Sequence, residues 1–310
     1  MKRVLVTGGM GMLGHALVHG LRRHTHLSTT VRDPRLPSPY PLDGVRVLTG
    51  IDLREEAALI QALDAEPWDV VVNATGVIKQ RQESADPVGT IAVNSLLPHR
   101  LAQACRARGI RLIHFSTDCV FSGRADSVRG PQGYRETDLP DSTDLYGASK
   151  RLGEPTDTGC LTLRTSIVGP ELRNFGSLAE WFLRQPAAQV RGFTQAWFSG
   201  IATPVAAALV VKLIDDHPDL SGLYHVAAEP LSKYDFLCLM AARYRPMVSV
   251  LPDSELYCDR RLDGNAFTAR TGWRAPDWTT MVAMLGLERL RPGSTKDKRR
   301  DAVQGAPPRQ

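Results

Sequence analysis

Thr7-Gly8-Gly9-Met10-Gly11-Met12-Leu13-Gly14 follows an apolar run at residues 3–6 and leads into residues 13–22, which have the apolar spacing of a helix. Three of its glycines form the spacing G-x-x-G-x-x-G. Glycines in such a turn allow unusual backbone angles, close approach to a pyrophosphate and tight packing of the helix on the strand. The N-terminus of the helix would offer N–H groups and a positive dipole end to the phosphates. The stretch therefore predicts a dinucleotide site formed by Gly8, Gly11, Met12, Leu13 and Gly14.

Outward from this turn, short apolar runs alternate with helical patterns through the first half of the chain. The runs at residues 27–31, 45–48, 70–72, 111–115 and 161–164 predict further strands. A long helix is predicted between the strands at 70–72 and 111–115, with Asp86 as its cap, Pro87 at its first position and an end near Gly109. Strands that are apolar on both faces and alternate with helices indicate a parallel sheet covered on both sides. The fold class is therefore a Rossmann-type, doubly wound α/β fold.

The regular alternation ends after residue 164. Helices are predicted at 177–184, 205–215 and 233–243, with Ser232 and Asp235 as a capping box for the last. We expect an NADP-binding Rossmann domain at residues 1–164. Residues 165–290 would form mainly a smaller, substrate-binding domain, with some elements returning to the Rossmann domain. Residues 291–310 read as a flexible basic tail containing Lys296, Lys298, Arg299 and Arg300.

Composition excludes several classes of protein. The chain of 310 residues has a net charge of +5, but much of the excess lies in the tail, so nucleic acid is not an expected partner. Its five cysteines have neither metal-ligand nor disulfide-framework spacing, and no metal is expected. No apolar run approaches the roughly 20 residues that span a bilayer. We expect no membrane association and, without a signal peptide, a cytoplasmic location.

The end of the second predicted strand indicates which dinucleotide is bound. Enzymes that prefer NADH usually place an acidic residue there, whereas this strand ends in Arg32, which could pair with a 2′-phosphate. The alternative is an exposed arginine beside a proline-rich loop. We predict NADPH, with NADH less favoured. Strand-end residues predicted to contact the cofactor further along the chain are Asp52, Leu53, Asn73, Ala74 and Thr75.

A candidate catalytic group follows the fifth strand. Tyr146 and Lys150 are four residues apart and so lie on one face of a helix. A neighbouring ammonium should lower the pKa of the phenol, which could then donate a proton to a substrate carbonyl. Thr117, at the end of the fifth strand, could hold that carbonyl oxygen. An exposed helix turn would also place a Tyr and a Lys at this spacing, so the position in the fold carries the assignment.

These pieces resemble the extended short-chain dehydrogenase/reductases, and within them the dTDP-4-dehydrorhamnose reductases. The resemblance covers the chain to about residue 285 and rests on TGGMGMLG at 7–14, STDCVFSG at 116–123, YGASK at 146–150, LRTSIVG at 163–169 and RLD at 261–263. It implies reduction of a nucleotide-bound 4-keto-6-deoxysugar by NADPH, in the synthesis of deoxysugar and polysaccharide precursors. It also implies Thr117, Tyr146 and Lys150 as catalytic residues, Lys150 as a ligand of the nicotinamide ribose, and a possible homodimer.

The chain departs from the family where a sugar would be recognised. An insertion lies at residues 124–134, Ile167 stands where an aromatic residue is usual, and the stretch at 73–80 brings Lys79 and Gln80 towards the pocket. The predicted substrate-binding residues are Lys79, Asp118, Cys119, Trp197 and Arg261. Arg261 could clamp a diphosphate through paired hydrogen bonds, or could pair with Asp259 or Asp263 on the surface.

Three other functions are compatible with the same fold. A sugar dehydratase would carry Asp-Glu after the Thr, where this chain has Asp118-Cys119. An epimerase would usually have an acidic residue at the position of Arg32, although an epimerase/reductase could use Cys119 together with His217 or His225. A non-catalytic, NADPH-binding regulatory protein would often lack the Tyr or the Lys, and both are present. Fold alone does not separate these functions.

Overall fold

A parallel sheet dominates the computed structural model, which describes residues 1–33, 42–78, 86–126, 132–173 and 175–287. The strands in chain order are β1 (Arg3–Thr7), β2 (His26–Val31), β3 (Val45–Thr49), β4 (Val70–Asn73), β5 (Arg111–Thr117), β6 (Cys160–Thr165), β7 (Ile167–Val168), β8 (Gln189–Phe193), β9 (Ala196–Phe198), β10 (Ile201–Ala202), β11 (Gly222–His225), β12 (Leu231–Ser232), β13 (Ser249–Asp253) and β14 (Cys258–Asp259). The helices are α1 (Met12–Leu21), α2 (Glu56–Asp64), α3 (Pro87–Ile91), α4 (Leu97–Ala107), α5 (Leu145–Leu152), α6 (Leu178–Arg184), α7 (Thr203–Asp215), α8 (Lys233–Tyr244), α9 (Asn265–Thr271) and α10 (Trp278–Met284).

The main sheet has the order β11-β6-β5-β4-β1-β2-β3 with all neighbours parallel, which confirms the predicted Rossmann-type fold. Alternate side chains of each strand enter two separate cores, so Val4 and Val6 pack on one side of the sheet and Leu5 on the other. The order of the strands reverses at β1, because β2 and β3 follow on one side of it and β4 to β6 on the other. A crevice at the carboxyl ends of the strands forms at this switch point, and ligands of doubly wound sheets bind there.

Each predicted strand of the first half is present and extends one or two residues beyond its predicted bounds. The predicted helices after residue 164 are also present, and the Ser232 hydroxyl accepts the Asp235 N–H at the start of α8. The helix α2 was not predicted, and its start carries no side-chain cap that would mark it in the sequence.

The long helix predicted after residue 86 begins as expected, with Pro87 at its first position and the Asp86 carboxylate accepting the Val88 N–H at 3.0 Å. It is interrupted between α3 and α4 by a π-helical segment, Ala92–Leu96. Such segments often accompany functional sites. Here the wider turn contains the buried side chain of Asn94, which contacts residues near the cleft.

The second half of the chain packs against the first rather than standing apart from it. The strand β11 adds to the sheet beside β6, and α7 packs along α1. Two small sheets, β12-β9-β14 and β13-β8, pack with α6 and α8. Residues of these elements line the cleft opposite the carboxyl ends of the main strands. The division of the chain at residue 164 remains a prediction, and the tail at 291–310 lies outside the described residues.

Candidate functional site

The glycine turn forms one end of a long cleft. Gly8 has a φ of 74°, a conformation that favours glycine, and its carbonyl accepts the Gly11 N–H at 2.9 Å. A Cβ on Gly14 would overlap the Gly8 carbonyl oxygen, so α1 approaches the turn as closely as the motif predicts. The helical hydrogen bonds begin with His15 N–H to Gly11 carbonyl at 3.0 Å. The N–H groups of the first turn therefore have no acceptor within the helix, as an anion site at a helix N-terminus requires.

Two connected regions make up the cleft. The outer cleft contains, of the predicted cofactor residues, Gly8, Gly11, Met12, Arg32, Asp52, Leu53, Ala74 and Thr75. The inner cleft is lined by the catalytic candidates and by residues of the second half of the chain. Gly11, Met12 and Thr75 line both regions, which are therefore continuous. Leu13 lines the inner cleft, and Asn73 is fully buried beneath the outer one.

Asn73 supports the cleft from below. Its amide oxygen accepts the Thr7 hydroxyl at 2.8 Å and the Thr75 N–H at 3.1 Å, and its amide nitrogen lies 3.0 Å from Nδ1 of His114. Burial lowers the pKa of His114 well below its ordinary value, so this ring stays neutral. The network fixes the loop after β4, on which Ala74 and Thr75 face the cleft.

The basic end of the outer cleft contains more than the predicted arginine. Arg32 is exposed at the end of β2, and Arg54 and Arg173 line the same region. Arg54 pairs with Asp52 at 2.5 Å, and its hydrogen bonds are the main reason that the pKa of this carboxyl is lowered. Sequence reasoning missed Arg54 and Arg173, since Arg54 lies on a loop and Arg173 comes from a distant segment. These three arginines share the outer cleft with the carboxylates of Asp33, Asp52, Asp86 and Glu171.

The catalytic candidates meet at the inner cleft. Thr117 ends β5, and α5 supplies Tyr146 and Lys150, with the Asp144 carboxylate accepting the Gly147 N–H at 2.9 Å as the helix cap. A side-chain hydrogen bond joins the phenol of Tyr146 to the Thr117 hydroxyl. Lys150 is buried, and its ammonium donates to the Phe115 carbonyl at 2.7 Å. The three side chains could thus act on one carbonyl group and one ribose.

The pKa of Tyr146 differs from our expectation. Burial and the nearby Cys119 thiol raise the pKa of the phenol, and the Thr117 hydrogen bond only partly opposes them. Lys150 does not lower it, because the lysine ammonium is directed at the Phe115 carbonyl and burial lowers its own pKa to about 8. A phenol with a raised pKa remains protonated at neutral pH, which is the form that a proton donor needs.

The structure places some of the predicted substrate residues in the inner cleft and others outside it. Asp118, Cys119 and Trp197 line the inner cleft, and Lys79 lies outside the described residues. Arg261 is not among the residues that line it: its guanidinium pairs with Asp259 at 2.6 Å and lies 6.0 Å from the Trp197 ring. The observed pairing of Arg261 with Asp259 matches the surface-pairing alternative, and the diphosphate clamp at this position stays a prediction.

Two other cations line the inner cleft instead. Arg260 is buried and donates to the Phe121 carbonyl at 2.9 Å and the Cys119 sulfur at 3.5 Å. Lys233 begins α8, and burial lowers its pKa to about 8. Neither was predicted from the sequence, although Arg260 directly precedes the RLD segment. The inner cleft is therefore lined by three cations, Lys150, Lys233 and Arg260, together with the carboxylates of Asp118 and Glu171.

No histidine lines either region of the cleft in the described part of the chain. His225 is buried in β11, with Nε2 3.3 Å from Arg164, and burial lowers its pKa to about 3. His217 follows α7, away from the cleft. Within the described ranges there is likewise no group of three or more His, Cys, Asp or Glu side chains that could hold a metal. None of the described helices has both the length and the apolar composition of a bilayer crossing.

Fold and site together define an NAD(P)H-dependent oxidoreductase of the extended short-chain dehydrogenase/reductase class. The family described as RmlD substrate binding domain matches residues 1–255, and the chain belongs to this family. It is similar to a dTDP-4-dehydrorhamnose reductase of Burkholderia thailandensis, with 28% identity over 91% of this chain and 97% of the relative. A weaker relative is the methionine adenosyltransferase 2 subunit beta of Xenopus tropicalis, with 24% identity over 82% of this chain and 74% of the relative.

Solved structures share the fold. The dTDP-4-dehydrorhamnose reductase of Bacillus anthracis in complex with NADP has a TM-score of 0.69 and 21% identity, over 94% of this chain and 98% of that one. The Bordetella bronchiseptica enzyme WbmG in complex with NAD has a TM-score of 0.74 and 19% identity, over 93% of this chain and 94% of the other. Both dinucleotides thus occur in this fold, so the fold does not decide between NADP and NAD.

Proposed function

We propose that this protein uses NADPH to reduce the ketone of a nucleotide-bound 4-keto-6-deoxysugar to an alcohol. The observation that carries the proposal is the convergence of Thr117, Tyr146 and Lys150 at the inner end of a cleft that begins at the glycine turn. The substrate class is supported by the relative named dTDP-4-dehydrorhamnose reductase, which aligns with nearly the whole chain. The cations Arg260 and Lys233 of the inner cleft suit a substrate that carries a diphosphate.

The cofactor would be held by the glycine turn, the first turn of α1, the loop after β4, and Lys150. When bound, it supplies a hydride to the carbonyl carbon. Tyr146 donates its phenolic proton to the carbonyl oxygen, and the Thr117 hydroxyl orients that oxygen. Lys150 is an ammonium at neutral pH, below its pKa of about 8, and can donate to ribose hydroxyls.

The diphosphate of the substrate would lie against Arg260 and Lys233. Both side chains are buried and line the inner cleft, and Arg260 hydrogen bonds to two carbonyl groups and a thiol rather than to a carboxylate. Trp197 lines the same wall and offers an aromatic face to the nucleotide or sugar. Asp118, Cys119 and Lys79 remain proposed substrate contacts, and their roles depend on which sugar is bound.

The reaction is tested by incubating the protein with NADPH and a panel of nucleotide-bound 4-keto-6-deoxysugars while following NADPH absorbance. Tyr146→Phe keeps the ring and removes the proton donor, so we expect kcat to fall by about 10²- to 10⁴-fold. NADPH affinity and the unfolding midpoint should be retained. Near-wild-type turnover in this variant would remove Tyr146 from the chemistry.

The same assay examines the two rival functions. The relative named as a subunit of methionine adenosyltransferase makes a regulatory role the second candidate. A wild-type protein that binds NADPH but reduces none of the panel would favour that role. An epimerase would instead convert a sugar nucleotide without net loss of NADPH.

We also propose that NADPH is preferred to NADH. Arg32 lines the outer cleft at the end of β2, where a 2′-phosphate could pair with its guanidinium. Arg54 lines the same region but is already bonded to Asp52. Replacing Arg32 with Asp should reverse the preference measured by fluorescence titration of both cofactors. Equal affinity of the wild type for NADH and NADPH would contradict the proposal. A homodimer remains a prediction from the family resemblance, and a cytoplasmic location remains a prediction from the sequence.

A further inference from the structure

A buried ion pair lies directly behind the catalytic side chains. Glu154 follows the end of α5, and its side chain is only 6% exposed. Its carboxylate pairs with Arg164 of β6, at 2.7 Å from Nη2 and 2.8 Å from Nε. The same carboxylate accepts the Ser116 hydroxyl at 2.6 Å. Of these three residues, Ser116 lines the inner cleft, and Glu154 and Arg164 do not.

The end of β5 is tied to the α5 segment at three consecutive residues. The Phe115 carbonyl accepts from Lys150, Ser116 donates to Glu154, and Thr117 bonds to Tyr146. Of these three hydrogen bonds, only the one from Ser116 to Glu154 has a negatively charged acceptor. That charge lies four residues beyond Lys150, which is itself buried.

We propose that Glu154 is a positioning residue that keeps Lys150 in its ammonium form and fixes the end of β5 where Thr117 stands. The inference rests on the proposed function, because it assigns Lys150 the task of holding the cofactor ribose. An ammonium has three donors, and the Phe115 carbonyl uses one. A neutral amine would keep two hydrogens and lose the charge that strengthens each bond.

Among the described residues, Glu154 is the negatively charged group that stabilises the ammonium of Lys150, in addition to the hydrogen bond to the Phe115 carbonyl. Burial lowers the pKa of Lys150 to about 8, and the Glu154 carboxylate acts in the opposite direction. From β5, His114 faces the lysine as a neutral ring, and from α5 the Tyr146 phenol is also neutral. Asn94 of the π-helical segment contacts the neighbouring Ser149 and is uncharged. Arg164 of β6 is bonded to Glu154 and opposes the lysine charge if Glu154 is lost.

The test is the pH dependence of NADPH affinity, measured by fluorescence titration without any sugar substrate. In the wild type the affinity should fall as the pH rises through the Lys150 pKa, about 8. Glu154→Gln keeps the size and an acceptor for Ser116 but removes the charge. We expect the midpoint of the alkaline loss to move at least about one pH unit lower, the scale of a nearby opposite charge. Lys150→Met should abolish the alkaline loss.

Matched variants separate this role from general destabilisation. Glu136 is another partly buried carboxylate near Arg164, where it accepts the His225 N–H at 2.9 Å, so Glu136→Gln should keep the wild-type midpoint. If Glu154→Gln leaves Arg164 too poorly paired to fold, Glu154→Gln with Arg164→Met removes both charges. Its midpoint should shift downward by less than that of Glu154→Gln, because the opposing charge of Arg164 is lost as well. A folded variant lacking Glu154 with the wild-type midpoint overturns the proposal. A protein that shows the expected shift yet reduces no keto-sugar would refute the proposed function and leave the role of Glu154 intact.

Discussion

Arg260 and Arg261 are neighbours in the chain, but their guanidinium groups have opposite surroundings. Arg261 is neutralised by Asp259 through bonds of 2.6–3.0 Å, whereas Arg260 lies against carbonyl groups and the Cys119 thiol at the inner cleft. An arginine that is already bonded to a carboxylate gains little from a phosphate. One whose partners are neutral retains most of its attraction for an anion.

We therefore predict that Arg260→Gln weakens the binding of a nucleoside diphosphate such as dTDP by at least about tenfold, the cost of losing a charged hydrogen bond. NADPH affinity should be unchanged, because Arg260 does not line the outer cleft. Arg261→Gln is the matched control and should bind dTDP like the wild type. Calorimetric titration of dTDP measures both variants, and the opposite ranking would restore Arg261 to the site.

The sequence could indicate Tyr146 and Lys150, because four residues of one helix turn suffice to bring them together. It could not decide between Arg260 and Arg261. That choice depends on a backbone pairing in which Tyr134 N–H bonds to the Arg261 carbonyl at 2.8 Å, across more than a hundred residues. Lys233 was missed for the same reason, since its burial against the cleft depends on how α8 packs.

At the scale of elements, α5 approaches β5 closely because of a glycine between the two catalytic side chains. A Cβ on Gly147 would overlap the Cys119 carbonyl oxygen and the Ser142 side chain. The π-helical segment approaches the other end of α5, where Asn94 bonds to Ser149 at 3.2 Å. The helix is therefore held at both ends. The sequence predicted one continuous helix from Pro87 to near Gly109, because the π-helical segment inside it leaves no signal in the spacing of apolar residues.

Gly147→Ala should force α5 away from the turn after β5 and separate Tyr146 from Thr117. We expect kcat to fall by about 10²-fold, as a misplacement near 1 Å can cause. The free energy of unfolding should fall by about 1–3 kcal/mol from overpacking. Ala148→Ser adds an atom to the partly exposed neighbour on the same helix and should change neither quantity much. A fully active Gly147→Ala protein would show that the close approach is not needed for catalysis.

For the whole molecule, the two halves of the chain share one core. The buried faces of α1 and α7 belong to the same apolar cluster, although α7 lies almost two hundred residues later, and β11 completes the sheet beside β6. The order of strands in the first half could be predicted from alternating patterns. The sequence predicted that some elements of the second half would pack on the first, but it did not predict that these are α7 and β11. The pairing of distant elements is set by packing rather than by local sequence.

Gly20 tests whether that shared core is required for stability. An added Cβ at Gly20 would lie 2.6 Å from the Cβ of Ala207, so any larger side chain separates α1 from α7. Valine is no worse than glycine in a helix, and Gly20→Val therefore carries no local cost. We expect the free energy of unfolding, measured by denaturant titration, to fall by about 1–3 kcal/mol. His19→Val introduces the same side chain on the exposed face of α1 and should leave stability within about 0.5 kcal/mol of the wild type. Because α1 also carries the glycine turn, NADPH affinity should fall in Gly20→Val and not in His19→Val. Equal stability of the two variants would mean that the second half of the chain contributes little to holding α1 in place.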